Sequence, residues 1–223
     1  MSDDGAKGPV WDLPTRLFHW SLVVLIPFSW WSAKFGHLEW HLWSGCFILT
    51  LIVFRILWGF FGSSTARFGA FVRGPAAVTR YVRDRFHWPT AGHAPLGALS
   101  VIALIALLLV IVGTGLIALD EDGFFGGPLA SLVSISTSDT ARELHEDLFK
   151  VLLALIALHV AAILLYRLAL GRNLLGPMIT GKAELAPGVE PMRPGKWWVA
   201  LLCVVIAIAI TRWIIGGAPP FGT

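Results

Sequence analysis

Residues 143–166 read ELHEDLFKVLLALIALHVAAILLY, with His145 at the start of the run and His159 fourteen residues later. The apolar stretch predicts a helix. Fourteen steps of about 100° total about 1400°, within roughly 40° of four full turns, so both imidazoles project to the same side. At about 1.5 Å per residue they stand roughly 21 Å apart along the axis, most of the ~30 Å thickness of a hydrocarbon core. A single intramembrane histidine is often a hydrogen-bonded core residue. Two on one face, at two depths, gain meaning only if other helices offer histidines at the same depths.

Composition sets the environment. Of 223 residues, 56% are hydrophobic and 14% charged, with mean hydropathy +0.73. Soluble domains run to about 45–50% apolar and about 25% charged, so this chain reads as an all-α integral membrane protein. Its 11 Trp suit interfacial belts and ring-packing surfaces. The net charge of +3 does not signal nucleic acid, because the basic residues cluster beside apolar segments as topology signals do. Cys46 and Cys203 fall in separate apolar runs and read as small core residues without a disulfide. No CxxCH is present, which excludes covalent c-type haem attachment. No cleavable signal peptide is expected, since the first apolar stretch starts only after about sixteen residues with no small-x-small site behind it.

Five segments are long enough to span: 17–35, 40–62, 96–119, 144–168 and 197–215. The connection 63–95 carries Arg67, Arg73, Arg80, Arg83 and Arg85, whereas that between the third and fourth spans carries Asp120, Glu121, Asp122 and Asp139 against Arg142. Lys7 and Arg16 precede the first span, and Arg172, Lys182, Arg193 and Lys196 precede the fifth. All Lys/Arg-rich segments share one side if the N-terminus is cytoplasmic and the C-terminus periplasmic. Within the basic loop, RGPAAVTRYVRDRF sets Val78, Tyr81 and Val82 opposite Arg80 and Arg83, which predicts a short helix on cytoplasmic headgroups. LDEDGFFGGPL reads as an external turn or docking loop. Residues 1–170 form the expected core, 171–196 a cytoplasmic linker, and 197–223 a fifth transmembrane helix with an external tail.

Topology sorts the histidines by depth. His19 (RLFHW) joins His159 near the cytoplasmic side; His41 (EWHLWSG) joins His145 near the outer side. Imidazole is a common axial ligand of haem, and a six-coordinate electron-transfer iron takes one from each face. Two layers of two histidines therefore predict two haems. His37, four residues before His41, competes with it for the outer position. His87 and His93 read as solvated or hydrogen-bonded loop residues. A closed zinc site fits less well, because its four ligands must converge within about 2.0–2.3 Å of one ion.

Arg55 lies fourteen residues after His41, near the inner layer. It either pairs with a haem propionate or snorkels to headgroups, and Arg16 poses the same choice. Ser44, Gly45, Gly113 and Gly115 are candidates for close approach to a porphyrin, although glycine is also frequent in ordinary spanning helices. Glu39 and Glu146, beside the outer ligands, read either as proton-relay or quinone-site acids or as solvated rim residues.

VWDLPTRLFHW, EWHLWSG, FRILWGFFGSSTARFGAFVRGP, GHAPLGALS and HEDLFKVLLALIALH together cover roughly residues 10–170. In these motifs the chain resembles the bacterial cytochrome b561 family and is similar to the b-type cytochrome subunits of nickel–iron hydrogenases. The resemblance implies a four-helix transmembrane di-haem bundle, here with a fifth C-terminal helix, in the bacterial cytoplasmic membrane. By motif match, His19, His41, His145 and His159 would hold two b haems. It further implies electron transfer between an external redox protein, such as a c-type cytochrome, dehydrogenase or hydrogenase, and ubiquinone or menaquinone. Two rivals stand beside it: a self-contained superoxide:quinone oxidoreductase, and a haem-free membrane transport or assembly subunit.

Overall fold

The structure, a computed structural model, describes residues 7–84 and 90–219; the expectation for His87 lies outside them. Helices dominate. Their order is strand β1 (Lys7–Pro9), α1 (Leu13–Lys34), α2 (Leu38–Phe61), α3 (Phe68–Phe71), α4 (Pro75–Arg83), α5 (Pro95–Ile117), α6 (Ile135–Ala169), α7 (Leu175–Thr180), β2 (Lys182–Glu184) and α8 (Trp197–Ile215), with a single 3₁₀ turn at Ala130–Leu132.

Among the described residues, four helices are long and apolar enough to cross a membrane: α2, α5, α6 and α8. α1, at 22 residues, has the length but falls outside that set. Thr15, Arg16, His19, Ser21, Ser29 and Ser32 dilute its hydrophobicity, so only four of the five predicted spans meet the criterion. α6 is longer than its predicted span. Ser134 Oγ accepts the Thr137 amide at 3.2 Å, a cap that starts the helix nine residues before the apolar run. Its 35 residues span roughly 52 Å, so its polar first turns extend beyond any hydrocarbon core.

The chain divides into two compact units. One comprises Met1–Phe18, Arg55–Ala103 and Ala157–Leu201. Asp12 organises its base. Oδ1 accepts the Thr15 amide at 2.8 Å and caps α1, while Oδ2 accepts the indole N–H of Trp58 at 2.8 Å. Trp58 is 1% exposed, so that carboxylate satisfies a fully buried donor. The segment read as a linker is built into the same base. β2 pairs antiparallel with β1, Lys7 opposite Glu184 and Pro9 opposite Lys182. The Met192 amide reaches the Pro9 carbonyl at 2.8 Å, and the Arg193 amide reaches Ser64 Oγ at 2.9 Å. α4 forms as expected, but its buried contact is Tyr81, hydrogen-bonded to Tyr166 at 2.5 Å, while Val82 is exposed.

The other unit comprises His19–Phe54, Leu104–Ile156 and Leu202–Thr223. Here Thr50 Oγ1 donates to Thr211 Oγ1 at 2.9 Å, joining α2 to α8. The acidic loop closes on itself: Asp120 takes the Phe125 amide on its carboxylate at 3.0 Å and gives its own amide to the Phe125 carbonyl at 2.8 Å. Cys46 and Cys203 are both free and buried.

Candidate functional site

His41 stands in the first turn of α2 and His145 on α6, and their rings face each other with centroids 5.8 Å apart and planes at 83°. Each Nδ1 is tied to a main-chain oxygen. That of His41 lies 2.9 Å from the Ser29 carbonyl, with Ser29 Oγ at 3.1 Å. That of His145 lies 2.8 Å from the Ile111 carbonyl, with Thr114 Oγ1 at 3.5 Å. A carbonyl can only accept, so both Nδ1 atoms carry the proton and both Nε2 lone pairs are free to bind metal. Ser29 and Ile111 were invisible in the sequence as partners. They sit 12 and 34 residues from the histidines they serve, on other helices.

The spacing suits one metal between two rings. Imidazole nitrogens bind a metal at about 2.0–2.1 Å, so ligands on opposite sides place their centroids roughly 6 Å apart. Small residues make the room. A Cβ on Gly115 would lie 2.9 Å from His145 Cε1 and 3.0 Å from its Nδ1, so only glycine lets α5 pass this ring. Gly45, one turn after His41, and Gly113 open onto space with no atom within 4 Å of a would-be Cβ. Ser44 is committed to its helix, donating to the His41 carbonyl at 2.9 Å. Among the described residues, no three His, Cys, Asp or Glu side chains group to hold a bare metal ion. A haem asks for less, because its porphyrin supplies four donors and the protein two.

His37 is placed differently. It is exposed and packs against Trp31, at 5.5 Å, and Trp40, at 5.0 Å, whose own centroids lie 6.0 Å apart. His41, and not His37, faces His145. Of the inner histidines, His159 has its Nδ1 3.3 Å from Ser100 Oγ, and His19 packs edge-on against Trp20 at 5.2 Å. Glu39 is exposed, as is Glu146, whose carboxylate lies 3.7 Å from Arg142.

The two arginines part company. Arg16 Nη1 donates to the Ile179 carbonyl at 2.5 Å, which ties it to the end of α7. Arg55 is 2% exposed and lies against the rings of Phe68 and Phe71, 5.1 and 6.0 Å from their centroids. Neither of its terminal nitrogens has a partner. His93, expected to be solvated or hydrogen-bonded, has an Nδ1 that is neither. Its ring lies 4.4 Å from that of Trp11 and 4.7 Å from that of Phe71, and its Nδ1 is sealed from solvent without a partner. Burial first, then the nearby Arg55 charge and His159, holds the His93 pKa down to about 3.

Residues 10–181 match a family described as prokaryotic cytochrome b561. The chain belongs to that family. It is a membrane b-type cytochrome of electron transfer, and haem b is its bound group. The haem-free rival therefore falls away for this cytochrome. The match carries the family and not the narrower hydrogenase-subunit group, and it ends before α8. No curated protein and no solved structure matches the cytochrome.

Proposed function

We propose that this cytochrome carries electrons across the bacterial cytoplasmic membrane between an external redox protein and the quinone pool. In this reading it holds two b haems, an outer one on His41 and His145 and an inner one on His19 and His159. α1 is the further spanning helix, the N-terminus is cytoplasmic, and the C-terminus is periplasmic. The observation that carries the reading is the facing pair of His41 and His145, each with Nδ1 given to a carbonyl and Nε2 left free. The inner pair rests on the depth ordering of the sequence.

A bound haem supplies one-electron chemistry at a potential the protein sets. The chain's own residues do the setting. The Ser29 and Ile111 carbonyls fix the tautomer and ring orientation of the outer ligands and raise their basicity, which favours the oxidised iron. In a membrane, the long apolar helices α2, α5 and α6 set these ligands in a low-dielectric surrounding.

The donor class follows from the outer rim. Oxidation of a small anion such as superoxide would gain from a positive funnel. The basic residues on that side are Lys34, Arg142 and Arg212, and Arg142 lies 3.6 Å from Glu121 and 3.7 Å from Glu146, which neutralise it. That favours a protein donor, such as a c-type cytochrome or a dehydrogenase, over a free anion.

The test is the haem-to-protein ratio of purified protein with histidine variants. Wild type should carry two haems with a b-type α band. His41→Ala and His145→Ala should each lose the same haem, and His19→Ala and His159→Ala the other. Two normal haems in His41→Ala would move the outer ligand to His37, and a single haem in wild type would end the two-layer reading.

A further inference from the structure

Arg55 presents a problem that the chain alone does not solve. A guanidinium is always charged, and removing it from water is tolerated only where an opposite charge and hydrogen-bond acceptors meet it. Arg55 has aromatic faces beside it but no acceptor on Nη1 or Nη2. The carboxylate within its electrostatic reach is Asp12, whose two oxygens are taken by the Thr15 amide and the Trp58 indole. The two unpaired nitrogens form the fork that binds two oxygens of one anion side by side. His93 adds a second polar atom. It lies within electrostatic reach of Arg55, shares the Phe71 ring with it, and keeps a sealed, unpartnered Nδ1. The walls are built closely, since a Cβ on Gly59 would run into the Phe68 ring, so glycine there seats the ring under Arg55.

We infer that Arg55 and His93 form one buried site for an oxyanion, walled by Phe68, Phe71 and Trp11. Arg55 binds two oxygens through its fork, and neutral His93 donates from Nδ1. A neutral quinone would leave the guanidinium charge uncompensated, so the ligand carries negative charge. Two sources offer that chemistry: the carboxylate of a haem propionate, and the phosphate of a lipid headgroup. The first rests on the haem reading above; the second does not.

The experiment compares wild type with Arg55→Gln, Arg55→Lys and His93→Phe, the last keeping an aromatic ring between Trp11 and Phe71. Each protein is purified from membranes and delipidated. Redox titration gives the midpoint of each haem, and phosphorus analysis gives the phospholipid retained per chain. If a propionate is bound, Arg55→Gln shifts one haem's reduction equilibrium about tenfold toward the oxidised form, about 59 mV for one electron. Arg55→Lys restores most of the shift, and His93→Phe moves the same haem the same way by about threefold. If a lipid phosphate is bound, potentials hold and Arg55→Gln and His93→Phe each lose one retained phosphate. Unchanged potentials and unchanged phosphate in His93→Phe and Arg55→Lys, with Arg55→Gln either unchanged or unable to accumulate, overturn the site. Wild type without haem overturns the electron-transfer reading instead, and the phosphorus count still decides this one.

Discussion

What sets His41 and His145 apart among seven histidines is the atom opposite Nδ1. His41 and His145 each meet a carbonyl there, whereas His37 meets two indole faces. The residues proposed as ligands come from helical spacing and depth, which depend only on residue number. Their orienting carbonyls were not legible in the sequence, since every residue has one and only packing decides which it meets. The sealing of His93 Nδ1 was hidden for the same reason. Its neighbours Trp11 and Phe71 lie 82 and 22 residues back in the chain. Gly115 tests the geometry of the outer pair. A valine there drives Cβ into the His145 ring, so on the two-haem proposal Gly115→Val should lose about half the bound haem, read as a pyridine haemochrome ratio.

Helices announced themselves through long apolar runs, and their ends did not. α6 begins at a Ser134 cap hidden in a polar stretch, and β1 and β2 are three-residue strands whose pairing no local pattern reveals. Asp12 binds α1 to α2 through two separate hydrogen bonds. Asp12→Ala should remove a helix cap and strand a buried indole N–H, costing about 2–4 kcal/mol, seen as a lower Tm. The contact of α4 with α6 has a pH signature. Burial first, and then the hydrogen bond with Tyr166, push the Tyr81 pKa above its ordinary value. Unfolded tyrosine gives up its proton above about pH 10 while the folded side chain keeps it, so stability falls as pH rises past that point. Tyr81→Phe should be about 1 kcal/mol less stable at neutral pH and lack that alkaline loss, checked by thermal unfolding between pH 8 and 11.

For the molecule as a whole, the family match ends at residue 181, leaving α8 outside it. α8 carries no histidine and joins α2 through Thr50 and Thr211. A chain ending after residue 196 should therefore keep its full haem complement and midpoints, measured by the same ratio and titration, while melting lower. The division into core, linker and added helix reads differently once residues 181–193 are seen bonded to residues 9–10 and 64. That closure also fixes an order of events during synthesis. β1 begins at Lys7 and β2 at Lys182, 175 residues later. At about 5–20 residues per second, the N-terminal strand waits roughly 9–35 s for its partner to leave the ribosome. By then α1, α2, α5 and α6 have all been made, so the base is a late-closing clasp. A nascent chain stalled before residue 182 should expose residues 7–10 to protease, and one released after residue 193 should shield them.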